Sequence, residues 1–213
     1  MNSLRFPRGL YGVTPDWSDT HRLLEAIRQA HAGGMQVVQW RRKLGDPAAQ
    51  QAQARSVRDL CRELHLPLII NDDWRLALAL DADGVHLGKD DGTLTEARRE
   101  MGLHKLIGCS CYNQPALAHQ HLQVPVDYIA FGAMFPSAVK PDAVRASLDD
   151  IREGRKISAL LSPRPAVVAI GGISPDNAAP LIQAGADSIA VISALFNAPD
   201  ITATAQRCSA LFS

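Results

Sequence analysis

Short apolar runs alternate along this chain with longer segments in which apolar residues recur at helical spacing. The run Leu10-Tyr11-Gly12-Val13-Thr14 predicts a first strand, which Pro15 and Asp16 break. Residues 20–31 follow as a helix with Leu23, Ile27 and Ala30 on one stripe, and Gly33-Gly34 stops it. Residues 36–41 predict a second strand. The next helix carries the clearest signals, with Asp46 as N-cap and Pro47 at the first helical position. Its Val57, Leu60, Cys61 and Leu64 fall at i, i+3, i+4 and i+7, one buried face. Pro67-Leu68-Ile69-Ile70 is a continuous apolar run of the kind found in buried parallel strands. Strands over residues 84–87, 106–110, 128–131, 166–170 and 188–192 continue the rhythm. Before the last of these, Ser174 is expected to cap a helix and Pro175 to open it, ahead of Ala178, Leu181 and Ile182. A final helix is expected from about Asp200.

Strand–helix alternation implies a parallel sheet, and eight such units are the number that closes a barrel. The expected fold is therefore α/β, a (β/α)8 TIM barrel, with residues 1–213 forming a single domain. An open doubly wound sheet competes, but its G-x-G-x-x-G after the first strand is missing. The length of 213 residues and the hydrophobic fraction of 46% suffice for one such core. A charged fraction of 21% without long polar tracts excludes a disordered chain. The net charge of zero gives no overall electrostatic reason to expect nucleic acid or an anionic membrane as partner. No apolar run reaches the ~18 residues of a membrane helix, and residues 1–8 lack a signal-peptide core. The four cysteines, Cys61, Cys109, Cys111 and Cys208, have neither redox nor zinc-knuckle spacing, so reduced thiols in a cytoplasmic protein are expected. If their segment is extended, Cys109 and Cys111 share a face, with Ser110 on the other. A homo-oligomer is left open.

The active site of such a barrel lies at the carboxyl ends of its strands. Polar residues gather there. Gln39, Arg41 and Lys43 alternate along one extended segment, so all three face one side; they suit a ligand with several phosphate oxygens, or form a solvated basic strand end. Asn71-Asp72-Asp73 and Asp90-Asp91 end neighbouring strands. Two such carboxylates suit magnesium, which takes oxygen ligands, although Asp72 or Asp91 alone would equally suit a helix N-cap. Gly171-Gly172 and Ser193 end the seventh and eighth strands, where this fold usually binds phosphate. His86, within a strand, reads as a neutral, hydrogen-bonded structural histidine, and His119 and His121 as surface residues.

Taken in order, these segments resemble the thiamine-phosphate synthase family. The matching stretches are Leu10-Tyr11-Gly12-Val13-Thr14, Val38-Gln39-Trp40-Arg41-Arg42-Lys43, Ile69-Ile70-Asn71-Asp72 and Gly84-Val85-His86-Leu87-Gly88-Lys89-Asp90-Asp91. Ile107-Gly108-Cys109-Ser110, Asp127-Tyr128-Ile129-Ala130-Phe131-Gly132, Phe135-Pro136-Ser137 with Lys140, Ala169-Ile170-Gly171-Gly172-Ile173 and Ala190-Val191-Ile192-Ser193 complete the set. The resemblance implies joining hydroxymethylpyrimidine diphosphate to hydroxyethylthiazole phosphate with release of diphosphate. It implies Gln39, Trp40, Arg41, Arg42, Lys43, Asn71, Ser110 and Lys140 around the pyrimidine diphosphate, with Arg41, Lys43 and Lys140 acting in catalysis. Ser137, Ala138, Val139, Gly172, Ile192 and Ser193 are implied around the thiazole phosphate, and Asp72 and Asp91 around Mg2+. The sequence departs from the family at Val139, where a threonine is usual, at Lys89, where glutamine is usual, and at Arg42, which often has an acidic counterpart. Two other readings are a thiazole tautomerase and a silent barrel that binds thiamine precursors. Against the tautomerase stand the charged set itself and Ala133, where such relatives tend to carry histidine.

Overall fold

A computed structural model describes residues 4–136 and 144–213 of the chain. The strands are β1 (Gly9–Val13), β2 (Met35–Trp40), β3 (Leu68–Asn71), β4 (Gly84–Leu87), β5 (Leu106–Tyr112), β6 (Tyr128–Phe131), β7 (Ala166–Ile170) and β8 (Ser188–Val191). Each runs parallel to the next, and β8 pairs with β1, so the sheet closes into an eight-stranded barrel. The helices α1 (Thr20–Ala32), α2 (Pro47–Leu64), α3 (Trp74–Ala79), α4 (Leu94–Met101) and α5 (Pro115–His121) occupy the first five crossovers. They are followed by α6 (Leu148–Ser158), α7 (Ala179–Ala184), α8 (Ser193–Phe196) and α9 (Ile201–Ala210).

The alternation of side chains along each strand divides the core in two. Outward-facing residues such as Val38, Ile70, Val85, Ile107, Ile129, Val167 and Ile189 pack against the helices. Inward-facing residues, among them Tyr11, Val37, Ile69, Tyr128, Val168 and Ala190, fill the barrel. Phe6 joins the inner set, fully buried, with its ring centroid 5.2 Å from that of Tyr11 and 4.1 Å from that of Tyr128. The interior is a packed solid and not a pore, so chemistry is confined to its mouth.

At Gly108 an inward position holds no side chain. A Cβ on Gly108 would lie 1.9 Å from Cζ of the buried Tyr128, so glycine is what lets that ring lie across β5. Gly108→Ala is expected to overpack the barrel by about 1–3 kcal/mol, lowering Tm by roughly 2–12 °C at about 2–4 °C per kcal/mol. A wild-type melting curve would show instead that Tyr128 can move aside.

Three aspartates recur at equivalent places beneath the barrel. Asp83, Asp127 and Asp187 each immediately precede an even-numbered strand, and each carboxylate accepts the N–H of a residue on the strand before it. Those donors are Leu68 (2.8 Å), Ile107 (2.8 Å) and Val167 (2.9 Å). Asp127 and Asp187 also hold buried arginines, Arg98 at 2.7 Å and Arg164 at 2.6 Å.

Asp46 accepts from the Ala49 N–H and Pro47 opens α2, as the sequence predicts. The α7 expectation is corrected. That helix begins at Ala179, and the Ser174 N–H instead donates to Asn177 Oδ1 at 2.8 Å. The Asn177 amide also donates to Gly172 O at 3.0 Å, which ties residues 172–177 into a loop. β2 ends at Trp40 and not at Arg41, because the Arg41 N–H turns to Thr14 Oγ1 at 2.8 Å.

Candidate active site

The inward-facing residues nearest the carboxyl ends of β2, β4 and β5 are Gln39, His86 and Ser110, and a chain of hydrogen bonds crosses the barrel between them. The Gln39 amide donates to Tyr11 Oη (2.6 Å), and Tyr11 Oη lies 2.9 Å from Tyr128 Oη. Tyr128 Oη meets His86 Nδ1 at 3.0 Å, and His86 Nε2 meets Ser110 Oγ at 2.9 Å. Burial pushes both phenols above the usual tyrosine range, so they remain neutral links. Tyr128 Oη and Ser110 Oγ thus hold both ring nitrogens of His86 across the floor. His86 is hydrogen-bonded through both ring nitrogens, as the sequence suggests.

The charged rim stands above this floor. Asp16, in the loop after β1, organises the basic segment: its carboxylate pairs with Arg41 at 2.8 Å and accepts the Lys43 N–H at 2.6 Å. Lys43 Nζ lies 3.0 Å from Asp72 Oδ2, at the end of β3. Asp91, in the loop after β4, accepts the Gly88 N–H at 2.7 Å and lies near enough to Asp72 for the two carboxyls to interact. Its carboxyl is raised above the usual range, first by burial and further by the Asp72 carboxylate, while the Gly88 N–H and Lys43 pull it down. Two neighbouring carboxylates repel unless a proton or a cation lies between them. Neither is a helix cap. Asp73 caps α3 and Thr93 caps α4, so those N-cap readings fall away. The oxygen donors and their repulsion fit a hard divalent cation.

The opposite rim is backbone. Met134 N–H donates to Ile170 O (3.0 Å) and Phe135 N–H to Gly171 O (2.9 Å), which zips the loops after β6 and β7 together. Gly172 has φ +64°, and a Cβ there would sit 2.4 Å from Pro136 O, so the approach requires glycine. Ile192 precedes α8, and the exposed Ser193 opens it beside this loop pair.

The structure thus brings Gln39 and Ser110 to one floor and Arg41, Lys43, Asp72 and Asp91 to one rim, with Asn71 ending β3 between them. Ser137, Ala138, Val139 and Lys140 lie outside the described residues. Two expectations are corrected. Trp40 faces outward, its indole N–H donating to Gln53 Oε1 on α2 at 3.2 Å, because it alternates with the inward Gln39. The Arg42 guanidinium folds back onto its own loop, donating to Leu44 O (3.2 Å) and Ala49 O (3.4 Å). His121 is not a bare surface residue, since its Nδ1 lies 3.7 Å from Cys111 Sγ. Sequence reasoning missed Tyr11, Tyr128 and Asp16. The tyrosines read as ordinary strand residues and Asp16 as a strand breaker, and no local signal distinguishes them.

The family described as Thiamine monophosphate synthase matches residues 10–195. A thiamine-phosphate synthase of Bordetella avium is 55% identical, covering 100% of this chain and 98% of the relative. One of Bordetella pertussis is 53% identical over 100% of this chain and 99% of its own length. Among solved structures, a thiamine phosphate pyrophosphorylase of Pyrococcus furiosus superposes with a TM-score of 0.80 at 32% identity, over 96% of this chain and 95% of that one. A 3-hexulose-6-phosphate synthase shares the fold at a TM-score of 0.70 and 15% identity, over 95% of this chain and 99% of that one.

Proposed function

The chain belongs to the thiamine monophosphate synthase family, a transferase acting on small molecules, and from that premise we propose how its barrel mouth performs the reaction. The reaction joins hydroxymethylpyrimidine diphosphate to hydroxyethylthiazole phosphate and yields thiamine phosphate and diphosphate. The observation that carries the site assignment is the meeting of Asp72 and Asp91 beside Lys43 and Arg41.

Asp16 pairs with Arg41 and Asp72 with Lys43, and these pairs would position the two cations for the diphosphate. The diphosphate would accept from both cations, from the Asn71 amide and from Lys140. A magnesium ion at Asp72 and Asp91 would supply further positive charge to the departing diphosphate. Gln39 and Ser110 would form the floor under the pyrimidine, with the Ser110 hydroxyl held by His86. The thiazole phosphate would lie against Gly172, Ser137, Ala138, Val139, Ile192 and Ser193.

The C–O bond to diphosphate breaks first, and its electron pair leaves with the diphosphate. The resulting cation is stabilised by the aminopyrimidine, and the thiazole nitrogen lone pair closes the new C–N bond. No proton is transferred in these steps, which agrees with a site built of cations, carboxylates and an amide, with its histidine tied into the floor. The four free cysteines suit a reducing cytoplasm as the compartment.

Purified protein given both substrates and magnesium is expected to release diphosphate, and excess EDTA to stop it. Tight binding of either substrate without diphosphate release would establish instead a barrel that only binds thiamine precursors.

A further inference from the structure

On the outer wall of the barrel, behind the floor residue Ser110, a second group of ligand-type side chains converges. Cys109 and Cys111 lie on the outward face of β5, both buried, and His121 lies at the end of α5. One ligand atom from each of Cys109, Cys111 and His121 lies within 4.8 Å of the others, and Cys111 Sγ is 3.7 Å from His121 Nδ1. Zn–S bonds of about 2.3 Å and Zn–N bonds of about 2.0–2.1 Å in a tetrahedron place ligand atoms roughly 3.5–3.8 Å apart. The Cys111–His121 edge already has that length. The remaining edges need to contract by about 1 Å at most, within reach of rotamer adjustment.

We propose that Cys109, Cys111 and His121 form a three-ligand site for zinc, separate from the rim that holds Asp72 and Asp91. The fourth position faces a cavity of about 280 Å³ lined by Leu87, Gly88, Thr93, Leu94, Cys109 and His121. Water or a small ligand occupies that position, as in open zinc sites with three protein ligands. Two thiolates and an imidazole select a soft ion over magnesium, whereas the oxygen-only rim at Asp72 and Asp91 does the reverse. On binding, each thiol gives its proton to solvent as its sulfur takes the metal. Strand alternation keeps the two sites apart, because Ser110 points into the barrel while its neighbours point out.

Cobalt(II) reports such a site directly, since thiolate ligands give it an intense near-ultraviolet charge-transfer band that oxygen ligands do not. Chelator-treated full-length protein, with excess magnesium present, is titrated with cobalt chloride and then with zinc chloride. The expected result is a band that saturates at one equivalent and is bleached by zinc. Cys111→Ser should abolish the band. His121→Ala, at a half-buried helix end and with circular dichroism as the folding control, should weaken cobalt binding by at least the about 10-fold that follows from losing even a supporting partner. A folded wild-type protein without the band overturns the proposal. So does an unchanged cobalt affinity in His121→Ala. Should Cys111→Ser fail to fold, the histidine variant alone decides.

Discussion

Asp72→Asn and Asp91→Asn are each expected to cut turnover at least about 100-fold while leaving the protein folded. Both changes remove one charge at nearly constant shape. Asparagine is the informative substitution at Asp72 because its φ of +67° is a left-handed conformation. Asparagine tolerates that region, whereas alanine there would add about 1–2 kcal/mol of backbone strain and blur the result. At Asp91 the asparagine oxygen still accepts the Gly88 N–H, so the loop keeps its anchor. What each variant loses is half of the paired carboxylate set. Removing one group that stabilises developing charge costs about 10²–10³-fold, and a weakened magnesium site adds to that. Stability should change little, because the Lys43–Asp72 pair is partly exposed, at 49% and 32%, and such pairs contribute at most about 1 kcal/mol. Initial rates measured across a magnesium titration, with circular dichroism as the folding control, test this. Wild-type rates with wild-type magnesium dependence in both variants would remove the carboxylates from the mechanism.

The largest loss of stability is expected from Asp187→Ala, below the opposite end of the barrel. The Asp187 carboxylate takes two hydrogen bonds from Arg164, at 2.7 and 2.6 Å, and the Val167 N–H at 2.9 Å. Both partners of this ion pair are only 8% exposed. Alanine would leave the Val167 N–H without an acceptor and the buried guanidinium without its counter-charge, with only the longer contacts to Ser158 Oγ (3.5 Å) and Pro165 O (3.4 Å) remaining. Breaking a buried pair from one side costs about 3–5 kcal/mol, or a Tm lower by roughly 6–20 °C for a chain of this size. Thermal unfolding of the two proteins measures it directly. A drop below a few degrees would mean that water reaches Arg164 once the carboxylate is gone. Residual turnover in the folded fraction should be near normal, since Asp187 lies at the amino-terminal side of the strands, away from the rim.

The two aspartate sets differ in how far the sequence discloses them. Asp72 and Asp91 stand at the ends of predicted strands, so the fold expectation alone puts them at the barrel mouth. Asp83, Asp127 and Asp187 repeat before β4, β6 and β8, yet nothing nearby in the chain identifies their partners as N–H groups of the preceding strands. Arg98, which pairs with Asp127, lies 29 positions from it in sequence.

What the sequence determined was everything governed by local periodicity and local chemistry. The two-residue repeat of strands and the 3.6-residue repeat of helices are backbone properties, so β6 and β7 begin and end where the pattern predicts. Asp46 and Pro47 act on the next turn of chain and need no distant partner. The order of polar residues at successive strand ends follows from the same periodicity. The tertiary structure decided which residues meet after closure. Tyr11 and Tyr128 are 117 positions apart and bond only because the barrel brings the first and sixth strands to face one another across its interior. Trp40 stands among the charged residues in sequence, and the partner for its outward indole, Gln53, is supplied by α2 packing on the barrel. Cys111 and His121 become neighbours when α5 folds back along β5. The meeting of Tyr11 and Tyr128 depends on closure and shear of the whole sheet, which no window of the chain contains.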